Sequence, residues 1–218
     1  MAGGAVKGRD KEQGKKMRLT AQDKGLVELI ERWGFMSVED VCIFQRYKNR
    51  NSAVWRLKRL VDGGVIRREK IIFGFFIYTV LDFHGVNIAT FEHDQTAKRL
   101  ALYLSNNLKC DYKTITELRS TARLELGVAG LTKKIPDFVL MQGEQRIAVE
   151  LELSQKNLAR QRAVFDKYIE AFNRRECHKV FFYCGSKAIL DRVRQVITEK
   201  RLQQAASAAL LPEKMNHG

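Results

Sequence analysis

Shortly after residue 20, Leu26, Leu29, Ile30 and Trp33 recur at helical spacing and mark one apolar face of an amphipathic helix. Thr20 stands ahead of it as an N-cap with Asp23 three residues on, and Gly34 ends it. Ser37 caps a second helix over 38–44, and a third is predicted over about 52–61, stopped by Asp62-Gly63-Gly64. The stretch VIRREKIIFGFFIYTVLD then reads as two β-rich runs broken at Gly74. Three short helices followed by a hairpin is the order of a winged helix-turn-helix, which the pattern places over 19–88. Val54, Trp55 and Leu57 read as its core.

Beyond this unit a helix is predicted over 91–107, and Glu117 falls near the end of a strand or at a helix turn. Two apolar runs, Phe138–Met141 and Arg146–Leu151, flank the turn Gln142-Gly143-Glu144-Gln145 and predict a β-hairpin. A helix over 155–174 carries Leu158, Val164, Phe165, Tyr168, Ile169 and Phe172 inward, VFFYC at 180–184 is a buried strand, and a helix over 188–202 closes the series. Strand, strand, helix, strand predicts an α/β (α+β) domain over 89–203. The Gly- and Lys-rich residues 1–18 read as a disordered basic arm, and 204–218 as a tail.

Charge narrows the partner. The 218 residues carry a formal +14 at a pI near 9.8, which folding does not require and an anionic partner would explain. No apolar stretch reaches membrane length and the N-terminus lacks a signal-peptide core, so a cytoplasmic protein without membrane insertion is expected. Four cysteines without CxxC spacing read as reduced structural thiols. The basic and amide residues collect at the start of the third helix, as Arg46, Lys48, Asn49, Arg50, Asn51 and Ser52, and at the wing, as Arg67, Arg68 and Lys70, with Arg56 and Arg59 expected on the solvated side. That clustering favours DNA, read by the third helix in the major groove, over a protein-contact module.

The hairpin carries acids. Asp137 opens its first strand, while Glu150 and Glu152 sit two apart on the second, so period-2 alternation points both to one face. Three carboxylates converging beside a hairpin suit Mg2+ or Mn2+ and metal-dependent phosphodiester cleavage, and the competing reading is a solvated strand edge. Lys133 and Lys134, on the loop leading to Asp137, are placed to touch a phosphate. His93 reads as a structural hydrogen-bonding residue and Tyr168 as core.

At these residues the chain resembles the PD-(D/E)xK, or restriction-endonuclease-like, superfamily: Pro136-Asp137 matches its first motif and Glu150-Leu151-Glu152 its (D/E)xK position. Glu152 stands where the motif has lysine, and Lys156 is the nearest lysine. The run ELELSQKN, with Arg160 and Tyr168 beyond it and Glu117-Leu118-Arg119 upstream, is similar to the replication-relaxation family and MobC-type (MOBC) plasmid relaxases. The resemblance covers most of residues 20–200. It implies a site-specific nicking enzyme acting at a plasmid transfer origin, with Asp137 and Glu150 ligating the metal, Glu117 or Glu152 completing the shell, and Lys156 orienting water or stabilising the transition state. A further acid completing the set, Glu117 or Glu125, is implied only by this resemblance, and spacing does not choose between them. A non-catalytic DNA-binding protein with an inactive nuclease-like domain is the alternative, and a junction resolvase a third reading. DNA is the expected partner, with room for an accessory mobilisation or coupling protein and for a homodimer.

Overall fold

The computed structural model describes residues 17–71, 74–82, 87–126, 135–213 and 215, with side chains over 123–126 outside the description. The chain is a mixed α/β protein. Its first part contains α1 (Ala21–Trp33), β1 (Phe35–Ser37), α2 (Val38–Phe44), α3 (Arg50–Asp62), β2 (Ile66–Lys70) and β3 (Phe76–Val80), the strands forming an antiparallel sheet of order β1-β3-β2. The caps Thr20 and Ser37 are those the sequence predicts, Thr20 with Asp23 as expected; the structure adds Asp40 as the partner of Ser37, and each pair forms a complete capping box. α3 starts earlier than expected because Asn49 caps it, its side-chain oxygen accepting the Asn51 N–H at 2.8 Å. β1 was not foreseen, since Phe35, Met36 and Ser37 are all buried and a three-residue run without alternation carries no strand signal.

The second part contains α4 (Phe91–Leu108), β4 (Asp111–Thr114), α5 (Ile115–Leu126), β5 (Phe138–Gln142), β6 (Gln145–Glu152), α6 (Leu158–Asn173), β7 (Lys179–Cys184), α7 (Lys187–Glu199) and β8 (Ala206–Leu210). Its sheet has the order β4-β5-β6-β7-β8, antiparallel from β4 to β6 and parallel from β6 to β8. Residues 206–210 are therefore no tail. They run in register with β7, Val180 opposite Ala206 through Cys184 opposite Leu210, a pairing that the small residues ASAAL do not announce. The predicted arm over 1–18 and the loop over 127–134 lie almost entirely outside the described residues, and Lys133 and Lys134 with them.

β6 is the centre of the molecule and is buried from Ile147 to Glu152. Ile147, Val149 and Leu151 join a core with Phe138 and Leu140, Leu100 and Leu104 of α4, and Leu26, Ile30, Met36 and Leu57 of the first part. Ala148, on the other side, packs with Phe165, Tyr168, Phe182 and Val193. The first core passes through the boundary expected near residue 88 without a break. Polar contacts follow it: Arg32 pairs with Glu117 at 2.9 Å and donates to the Tyr112 carbonyl at 2.8 Å. Lys98, with no exposed surface, donates to the Phe35 carbonyl at 2.8 Å, approaches Asp40 at 3.4 Å and lies over the Phe35 ring. Burial lowers the Lys98 pKa to about 8, against the opposing pull of Asp40.

Candidate functional site

The ladder between β5 and β6 ends at the Phe138–Val149 pair, and β6 continues for three residues past it. One step beyond that last rung stand Asp137 and Glu150. The Asp137 backbone N–H still reaches the Val149 carbonyl at 3.1 Å, and its carboxylate then accepts the Leu151 N–H at 2.7 Å, a donor that β5 no longer satisfies. His93 of α4 closes the edge, its Nε2 3.4 Å from the Asp137 Oδ2 and 3.3 Å from the Leu151 carbonyl oxygen. Hydrogen bonds with Asp137 and Asp94 raise the His93 pKa to about 10 against its desolvation, so the imidazole is a cation beside an acid at neutral pH. The structural reading of His93 thus gains a partner that spacing could not name.

Glu150 faces Tyr168 of α6. It is 3 % exposed and accepts a hydrogen bond from the Tyr168 hydroxyl. Burial drives the Tyr168 pKa well up, and the negative charges of Glu150 and Asp137 add to it, which sets both acids near this hydroxyl. Tyr168 is buried against Phe172 and Phe182, in the core where the sequence placed it. Tyr168→Phe removes a hydrogen bond to a buried carboxylate and should cost about 2 kcal/mol, measurable as a shift in urea unfolding. No shift would mean that the hydroxyl contributes nothing there.

Glu152 is 2 % exposed and its carboxylate meets the Lys156 ammonium at 2.5 Å. Lys156 lies in the loop ahead of α6, not in the helix as expected, because Asn157 is the cap; Arg192 holds that loop by donating to the Lys156 carbonyl at 3.0 Å. A lysine thus reaches the strand end from outside the motif position. Glu117 sits in the first turn of α5, within the range expected, but its carboxylate is committed to Arg32 and to the Thr114 N–H. Burial alone would raise its pKa, and these partners lower it instead. The Glu125 side chain lies outside the described residues.

Among the described residues no group of three or more His, Cys, Asp or Glu side chains is placed to hold a metal ion. Asp137 and Glu150 fit a hard cation as oxygen donors flanking the strand end, provided His93 and the Tyr168 hydroxyl release them. Glu152 and Glu117 do not fit in this arrangement, because Lys156 and Arg32 already occupy their carboxylates. Asp137, Glu150 and Glu152 therefore lie at one strand end, each with its own protein partner. Arg119 and Asp137 both line a cavity of about 480 Å³ between the two parts of the chain, together with His93, Lys98 and Thr116.

The second candidate surface is α3 and the β2–β3 hairpin. Arg46, Lys48, Asn49, Arg50, Asn51, Ser52, Arg67, Arg68 and Lys70 are all exposed, as a nucleic-acid contact requires. Arg50 is tethered to Glu39 at 3.1 Å, both side chains remaining largely open. Two expectations are corrected. Arg56 and Arg59 do not lie free on the solvated side: both bind the Asp23 carboxylate, which has no exposure. Three residues apart, the two share one face of α3, and that face meets α1 at Asp23. Trp55, expected in the core, is 61 % exposed, because Ala53, Leu57 and Leu60 fill the inward face and leave position 55 on the opposite side.

Neither protein-family models nor curated proteins match this chain. No helix among the described residues is long and apolar enough to cross a membrane. All four cysteines are free thiols.

Proposed function

We propose that the chain is a metal-dependent, site-specific DNA-nicking protein, a plasmid mobilisation relaxase acting at a transfer origin. In this reading the first part is a winged helix-turn-helix that finds the site, and the second is a restriction-endonuclease-like core that cuts. The observation that supports it is the placement of Asp137 and Glu150 one step past the last β5–β6 rung, with Lys156 brought to the same strand end. Asp137 and Glu150 would hold Mg2+ or Mn2+, which when bound supplies a Lewis acid and an activated water. Lys156 keeps positive charge at the strand end, suited to an anionic substrate, and His93 holds Asp137 until it is used. The exposed cations of α3 and β2 give the affinity, which should fall steeply with added salt as phosphate counterions are released.

The test is incubation with supercoiled plasmids carrying candidate origins, with and without Mg2+ or Mn2+. A relaxed product that depends on the ion is expected. Asp137→Ala and Glu150→Ala should each reduce it at least about tenfold, the lower range for groups that merely support a ligand, while DNA affinity persists. Unchanged nicking by both variants would overturn the assignment of these acids. A second reading, a non-catalytic DNA-binding protein controlling plasmid replication or mobilisation, is favoured by one observation: Asp137, Glu150 and Glu152 each already have an internal partner. Site-specific binding with no relaxed product under any divalent ion would select it.

A further inference from the structure

The largest apolar side chain on α3 faces away from the core. Ala53, Leu57 and Leu60 point inward with no exposed surface, while Asn51, Trp55, Lys58 and Asp62, at three- and four-residue spacing, form an exposed ridge opposite them. An indole left 61 % in water gains little from folding, yet this one is not loose. The Arg59 guanidinium lies 5.5 Å from its ring centroid and is itself bound to the fully buried Asp23. Arg56, on the same carboxylate, helps Tyr47, Asn51 and Ser52 wall a shallow depression beside the ring. The ring is thus an apolar group braced from the interior and presented outward.

Charge complementarity selects the occupant. Lys48, Arg50 and Lys58 are exposed around the ridge, a setting that suits a polyanion and not an apolar protein face. On duplex DNA the apolar group offered at major-groove base edges is the thymine C5-methyl. We propose that Trp55 is a specificity-determining residue whose indole packs on the methyl group of a thymine in the bound duplex. The inference rests on the DNA-binding half of the function proposed above, and not on the nicking chemistry.

The test uses the full chain. A preferred duplex is selected from a random pool, and each thymine is then replaced singly by deoxyuridine, which removes only the methyl group. The parent protein should lose about fourfold in affinity at one position, the worth of about one buried carbon. Trp55→Ala should bind the parent site more weakly and show no response to that replacement, and Trp55→Phe should keep part of it. Both variants should melt with the parent, since the ring contributes little to the core. A flat deoxyuridine scan of the parent protein, a selected site without thymine, or a Trp55→Ala variant with the same loss would each overturn the role of Trp55 while DNA binding stands. A parent protein that enriches no duplex would overturn the DNA reading and this inference together.

Discussion

Divided near residue 88, the chain should give two fragments that do not fold alone. The unbroken core requires it, since Leu26, Ile30 and Met36 share one apolar cluster with Leu100, Leu104, Val149 and Leu151. Aromatic pairs cross the same boundary: Phe35 stacks on Phe91 at 5.4 Å and Trp33 lies 5.8 Å from Tyr112. In a fragment over 89–218, Lys98 would lose the Phe35 carbonyl and Asp40, and Glu117 would lose Arg32. Each large apolar side chain returned to water costs about 1.5–3 kcal/mol, so losing a few exhausts the ~5–15 kcal/mol that keeps a typical domain folded. Circular dichroism melts of the two fragments should show no cooperative transition, and mixing or co-expressing them should restore one. A fragment over 89–218 that melts within a few degrees of the whole chain would show two independent domains instead.

That continuity is where sequence reading stopped. Helix starts were legible because capping is local: Thr20 with Asp23 is a three-residue signal that forms as expected, and Ser37 caps the second helix as read, with Asp40 as the partner the structure adds. The hairpin over β5 and β6 was legible for the same reason, with an apolar run on either side of the turn at Gly143, whose φ of 59° suits it. Partnerships between distant residues were not. Nothing near Lys98 in sequence tells that it crosses to Asp40, or that His93 reaches Asp137, because these pairs exist only once α4 lies across the sheet. β8 was missed since a parallel edge strand takes its definition from the neighbour's hydrogen bonds and not from its own pattern. Trp55 was misplaced by a rule that holds on average: an aromatic at helical spacing is usually core, but the inward stripe of α3 was already filled by smaller residues. The acids stood where alternation put them, whereas their individual partners, Tyr168, Lys156 and His93, needed the fold.

Asp23→Ala should strongly destabilise the first part of the chain. This one carboxylate completes the α1 capping box through the Thr20 N–H at 2.8 Å, and it also receives Arg56 and Arg59 from α3. It has no exposed surface, while the two arginines are 18 % and 32 % exposed, so removing it strands two partly buried cations side by side. Breaking a buried ion pair from one side typically costs about 3–5 kcal/mol, and the partial exposure of both arginines places this case near the lower end. Burial pushes the Asp23 carboxyl up, but hydrogen bonds from Thr20, Arg59 and Arg56 outweigh it and hold the pKa at about 2, below the ordinary 3.8. The native state therefore binds fewer protons than the unfolded chain between those values, so the stability Asp23 contributes is complete above about pH 3.8 and lost as the pH falls through about 2. Urea unfolding of the parent protein and of Asp23→Asn should differ most at neutral pH, and the gap should close on acidification. Because Arg59 also braces Trp55, Asp23→Asn should weaken DNA binding in parallel even where the chain stays folded. An equal stability gap at pH 2 and pH 7 would show that Asp23 acts through packing and not through its charge.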